Sequence, residues 1–220
     1  MLTQTEENYL KTIFKLSDHG REYVFTNQIA EKIGTQAASV SDMLKKLAVK
    51  KFINYEKYKG VLLTDTGIHH ACIIIRKHRL WEVFLVNKLN FAWDQVHEVA
   101  EQLEHIKSEI LIDKLDDFLG HPKFDPHGWP IPDKWGKLQY QESVPLNSLN
   151  PLSEVALVKV IGENGILQHL DELNISIGAV IKILSIRNFD GLIEIEVNQK
   201  KEFLTKSVAE NLYVKKRIDL

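Results

Sequence analysis

All six prolines of this 220-residue chain fall between positions 122 and 151, at 122, 126, 130, 132, 145 and 151, and that placement constrains the fold more than any other feature. A proline inside a helix removes a backbone donor and clashes with the preceding turn, so long helices belong before residue 122. After residue 151 the character turns to β. Residues 155–160, 180–184 and 192–197 mix β-branched and polar residues and read as strands. Phe189, Asp190 and Gly191 supply a hairpin turn, a closing strand is expected at 212–215, and one short helix interrupts them at about 165–173. Together they predict a small barrel. Residues 121–152 also carry Gly, Asn and Ser, and read as an ordered connection followed by a linker.

The first part of the chain is patterned for helices. Thr3 and Glu6 form a capping-box pair, followed at helical spacing by Tyr9, Leu10, Ile13, Phe14 and Leu16, which predicts a helix ending near 18–20. Ile29, Ala30 and Ile33 share a second helical face that Gly34 can stop, and Val40, Met43, Leu44 and Leu47 recur at i, i+3, i+4 and i+7. Residues 53–58 and 61–64, parted by Lys59 and Gly60, read as a hairpin. That order of helices and hairpin is a winged helix-turn-helix. Further helices are expected from residue 64 to about 89, from 94 to about 106 and over 108–119.

Composition excludes several classes. The chain is 44% hydrophobic and 26% charged, ordinary for a folded protein and unlike a disordered one. Its longest apolar run is 71–75, far short of a bilayer span, and the N-terminus lacks signal-peptide character, so a cytoplasmic protein with no membrane partner is expected. A single cysteine, Cys72, permits no internal disulfide and no thiolate cage. Residues 1–63 hold ten Lys and Arg against seven Asp and Glu, whereas 64–144 hold nine against thirteen, so the positive end is N-terminal. A modest positive excess on a small domain is compatible with nucleic-acid binding.

Seven of the nine histidines lie between 69 and 127. His97, Glu101, Glu104 and His105 stand at i, i+4, i+7 and i+8, an arc about 100° wide on a helix. His78 and Glu82 are i, i+4 neighbours on the preceding helix, so antiparallel packing would assemble six nitrogen and oxygen donors. Such a set suits Mn(II), Fe(II), Co(II) or Zn(II), and outweighs the plainer reading of a solvated polar stripe. The zincin motif, the phosphate loop and the nucleophile elbow are all absent, so no enzyme and no small-molecule substrate are expected. The expected recognition helix offers Gln36 and Ala37 at its start, then Ser39, Ser41, Asp42, Lys45 and Lys46, suited to base edges and phosphates; Lys57 and Lys59 in the hairpin suit the backbone.

These residues resemble the diphtheria-toxin-repressor and manganese-transport-regulator family of metal-dependent transcriptional repressors. The resemblance rests on segments 7–14 (ENYLKTIF), 36–41 (QAASVS), 76–82 (RKHRLWE), 96–105 (VHEVAEQLEH) and 120–128 (GHPKFDPHG), and spans essentially the whole chain. It implies an α+β multidomain protein: a winged helix-turn-helix DNA-binding domain over 1–63, a helical dimerisation and metal-binding domain with linker over 64–144, and an SH3-like domain of the ferrous-iron-transport-A type over 145–220. It further implies a primary metal site of Asn8, Glu101, Glu104 and His105. Asn8 departs from the family, where manganese-type members carry Asp and iron-type members Met. Glu101 stands where iron-type members have Cys, and this hard carboxylate favours manganese. Lys11 replaces an acid of the manganese-type binuclear site. An ancillary site would use His78, Glu82 and His97, with Asp125 and His127 at ligand positions of the streptococcal-type manganese regulators and Glu163 as a ligand from the barrel.

The expectation is therefore a homodimeric, Mn(II)-activated repressor of metal-uptake genes that binds double-stranded operator DNA. An Fe(II)-responsive repressor is the alternative within the family. Outside it stand a metal-dependent hydrolase with an accessory DNA-binding domain, and a DNA-binding protein whose helical cluster is only a dimer interface.

Overall fold

The structure, a computed structural model, describes residues 2–56, 59–162 and 164–216. They gather into two compact units, one holding the chain up to Trp81 with Ala100–Lys123 and Ile131–Gln139, the other holding Glu82–Val99, Phe124–Pro130 and the chain from Tyr140 onward.

In the first unit the capping box starts α1 (Gln4–Leu16): the Thr3 backbone N–H donates to Glu6 Oε2 at 2.9 Å and the Glu6 N–H to Thr3 Oγ1 at 3.3 Å. Helix α2 (Thr26–Ile33) stops at Gly34, whose φ of 73° is left-handed and cheap only without a Cβ. Helix α3 (Ala37–Val49) buries Val40, Leu44 and Leu47 and leaves its polar face outward. Strands β1 (Ile53–Glu56) and β2 (Gly60–Leu63) pair antiparallel, with Ile53 opposite Leu63, and an isolated bridge from Val24 to Val61 widens the hairpin. Helix α4 (Asp65–Leu89) closes this core: Ala71, Cys72 and Ile75 pack with Leu10, Ile13, Ile29, Leu44 and Leu47. Burial pushes the Cys72 thiol up to about 11.

Helix α5 (Val96–Leu103) is shorter than expected, and Glu104 and His105 lie in the turn that follows it. Ser108 caps α6 (Glu109–Phe118), its Oγ accepting from the Leu111 N–H at 3.3 Å. Arg76 reaches from α4 to Asp116 at 2.9 Å and donates to the Pro132 carbonyl at 2.9 Å, so the proline-rich segment is ordered where it meets this unit.

The second unit is built on one antiparallel sheet in the order β3-β8-β4-β5-β6-β7. Its strands are β3 (Val144–Pro145), β4 (Glu154–Val160), β5 (Val180–Ile186), β6 (Ile193–Val197), β7 (Lys200–Leu204) and β8 (Leu212–Lys216), with helices α7 (Asn164–Glu172) and α8 (Lys206–Glu210) between them. Alternation puts Leu157, Ile181, Ile183, Ile195 and Val214 into a core with Leu170, Ile175 and Trp93. Strands β3 and β7 and helix α8 are additions to the sequence reading. In β7 only Leu204 is buried, so a charged edge strand carries little hydrophobic signal.

The 124–130 turn belongs to this unit and is held by side chain and backbone alike. Asp125 Oδ1 accepts the N–H groups of His127 and Trp129, each at 2.9 Å, and the Val160 N–H donates to the His127 carbonyl at 2.9 Å. Gly128 sits at φ 86° with its α-carbon against β4: a Cβ there would meet the Val158 carbonyl oxygen at 2.0 Å. Only glycine permits that approach.

Candidate metal centre

Two polar clusters form where sequence spacing predicts one. In the second unit, ligand atoms of Glu82, Asp125 and His127 lie within 4.8 Å of one another. Glu82 comes from α4, and its Oε1 faces His97 Nδ1 from α5 at 3.3 Å and His127 Nδ1 at 4.0 Å. His127 is oriented from behind. Its Nε2 is 2.8 Å from the Trp93 carbonyl, which can only accept, so Nε2 carries the proton; in the neutral imidazole the Nδ1 lone pair then faces Glu82. Its ring stacks on Trp93 at 7° with centroids 6.0 Å apart. A carbonyl holding the far nitrogen of an imidazole is the arrangement that orients histidine ligands. Glu82 and Asp125 are buried, while His97 is half exposed. Two hard carboxylates and one imidazole at this convergence, with the His97 imidazole facing Glu82 beside it, fit a divalent ion of the Mn(II), Fe(II) or Zn(II) kind.

The other cluster lies in the first unit, around Glu104, which is wholly buried. Glu104 Oε1 receives the Lys11 ammonium at 2.6 Å and Oε2 receives His78 Nδ1 at 2.6 Å. Lys11 also reaches Glu101 at 2.9 Å. His105 donates through Nδ1 to Glu7 Oε2 at 2.6 Å, leaving Nε2 3.7 Å from Glu104 Oε1. Burial alone would raise the Glu104 carboxyl; the His78 hydrogen bond and the Lys11 ammonium outweigh it and hold the group below the ordinary glutamate range. Asn8 Oδ1 is buried without a hydrogen-bond partner. Of the residues expected as a metal site, Glu101 and Glu104 thus hold an ammonium, and His105 is hydrogen-bonded to Glu7. Among the described residues, every convergent triad of histidine and carboxylate donors includes Glu82 and none includes Glu101, Glu104 or His105.

Sequence spacing found most of these donors but placed His97 with Glu101 and Glu104, whereas His97 faces Glu82. Glu7 and the Trp93 carbonyl were missed; Glu7 precedes Lys11 by one helical turn, the one signal that the two share a stripe. Glu163 lies outside the described residues, as does Lys57. His78 sits one turn before Glu82 on α4.

On α3, Gln36, Ala37, Ser39, Asp42, Lys45 and Lys46 are exposed, and Ser41 is partly so, its Oγ donating to the Ala37 carbonyl at 2.9 Å. Lys45 pairs with Asp42 at 3.0 Å, and Lys59 with Glu56 at 2.7 Å. No helix of the described residues is long and apolar enough to cross a membrane.

Comparison with known proteins covers the chain in three parts. Residues 1–61 match the model of the iron dependent repressor N-terminal DNA binding domain, 64–133 that of the iron dependent repressor metal binding and dimerisation domain, and 144–216 the FeoA domain. An uncharacterised helix-turn-helix-type transcriptional regulator of Methanocaldococcus jannaschii is 31% identical over 118 residues, 54% of this chain and 94% of that one. An iron-dependent repressor of Mycobacterium tuberculosis is 32% identical over 131 residues, 60% of this chain but 56% of the relative's length. Among solved structures, a manganese-dependent transcriptional repressor in complex with manganese aligns at a TM-score of 0.88 with 31% identity, covering 96% of this chain and all of that one (100%).

Proposed function

The chain belongs to the family of metal-dependent transcriptional repressors that includes iron-dependent repressors and manganese regulators, and on that premise we propose that it is a manganese-responsive repressor. Loaded with Mn(II) in the cytoplasm, it binds double-stranded operator DNA as a homodimer and controls genes of metal-ion uptake. The observation that carries this reading is the convergence of Glu82, Asp125 and His127, joined by His97. Their carboxylate and imidazole donors, without a thiolate, suit a hard ion, and manganese accompanies the structural relative. His78, one turn from Glu82, and Glu163 are the candidates to complete the shell.

A bound divalent ion supplies the positive charge that these carboxylates balance. The chain does the rest. Asp125 spends one oxygen on the turn that presents His127, and the Trp93 carbonyl fixes the imidazole tautomer. The N-terminal face of α3, from Gln36 to Asp42, is assigned to base edges, and Lys45, Lys46, Lys57 and Lys59 to phosphates. Ile110, Leu111 and Phe118 of α6 lie within about 100° of helical arc and are exposed, an apolar stripe suited to a second copy. The conformation with two α3 helices in successive major grooves is the one that ion binding must favour, because a ligand shifts an equilibrium only by its differential affinity.

The test is operator binding by metal-stripped protein at fixed salt, titrated with buffered Mn(II) and, separately, Fe(II). Activation at lower free Mn(II), lost in Glu82→Gln, is the expected result. Activation at lower free Fe(II) would replace manganese by iron, as the 32% identity to an iron-dependent repressor allows.

A further inference from the structure

The position between Glu101 and Glu104 is filled by the chain itself. Lys11 is 4% exposed, and its Nζ stands 2.6 Å from Glu104 Oε1 and 2.9 Å from Glu101 Oε1. Both Glu104 oxygens are therefore engaged, one by Lys11 and the other by His78. His105 has turned its Nδ1 to Glu7. A divalent ion entering here would have to expel the ammonium, because two cations a few ångström apart in a buried site repel strongly. A buried lysine between two carboxylates also satisfies what an ion would satisfy: it neutralises charge and ties α1 to the end of α5.

We propose that Lys11 is the resident cation of this cluster: its ammonium takes the place of a divalent ion between Glu101 and Glu104, so that α1 is clamped to α5 without metal. The clamp is permanent, and response to ions passes to the cluster around Glu82. Two helices that an exchangeable ion would join are joined here by a tethered one, whose local concentration no chelator can lower.

Two measurements on the purified full-length chain test this. The first counts Mn(II) bound per chain from the free-ion electron paramagnetic resonance signal, in wild type and in Glu104→Gln, Asn8→Ala, Lys11→Glu, Lys11→Met and His127→Ala, each checked for native near-ultraviolet circular dichroism. Glu104→Gln and Asn8→Ala should leave the wild-type count unchanged, and Lys11→Glu and Lys11→Met should each gain one ion per chain. Loss of an ion in Glu104→Gln, or no gain in a natively folded Lys11→Glu or Lys11→Met, would overturn the proposal. The His127→Ala arm reports on the Glu82 cluster alone, so a failure of that reading is separable. The second measurement needs no variant: reductive methylation of wild type, mapped by peptide mass. Lys11 should stay unmodified at saturating Mn(II) while exposed Lys45 and Lys46 react; methylation of Lys11 that appears only with Mn(II) would mean the ion displaces it.

Discussion

The clusters around Glu104 and around Glu82 draw on the same two helices, α4 and α5, and on the same residue types, yet they solve opposite problems. Glu104 is buried with a lysine and an imidazole already hydrogen-bonded to its two oxygens, so its charge is balanced from within. Glu82 faces two imidazoles, and the one whose orientation is fixed from behind presents its Nδ1 to the carboxylate. Donor types alone do not make a metal site; at Glu104 an internal cation stands among the donors. That cation is Lys11 of α1, one helical turn after Glu7.

The sharpest way to break this contrast is to remove the internal cation. Lys11→Met leaves Glu104 buried without its ammonium, and should cost about 3 kcal/mol in urea denaturation without metal. Added Mn(II) should recover part of that loss in the variant and none in a Lys11→Met, Glu104→Gln double variant. Next in size is Asp125→Ala, which removes the acceptor of two backbone N–H groups and should cost about 2 kcal/mol by thermal unfolding. Asp125→Asn keeps an acceptor for the turn; it should cost less stability while weakening Mn(II) binding in calorimetry, which separates scaffold from ligand.

A smaller effect is expected from pH. For Asp116, burial raises the carboxyl, but hydrogen bonds from His121 and Arg76 outweigh it and hold the group below the ordinary aspartate value. A lowered folded value stabilises above the unfolded value near 3.9 and is lost as pH falls through the folded one. Wild type should therefore lose under about 1 kcal/mol more than Asp116→Asn between pH 5 and pH 3, followed by thermal melts. Least of all for folding is Lys46→Ala on the exposed face of α3, expected to shift stability within about 0.5 kcal/mol. The same variant should lower the salt dependence of operator binding by about one unit of slope, the signature of one lost phosphate contact.

The helices and central strands were legible because their signals are local. The capping pair Thr3 and Glu6, the stop at Gly34 and the period of Val40, Leu44 and Leu47 each dictate structure within a few residues. Strand β7 was not legible, since an edge strand with one buried residue has no alternation to read. Of the candidate metal donors, Glu82 and His97 follow from spacing, and Asp125 and His127 from family likeness alone, because a turn held by its own aspartate looks like any Asp-Pro turn. The burial of Lys11 was hidden for a different reason: a lysine on an amphipathic helix reads as solvated until α5 and the turn after it supply two carboxylates.

Cys72, packed against Ala71 and Ile75 and with its thiol pushed up to about 11, has a practical consequence. At neutral pH it is almost wholly the unreactive thiol and is shielded from reagents. The chain is already a single-label scaffold: a second cysteine placed at exposed Trp135 would take a fluorophore or spin label alone, without first stripping the native sulfur.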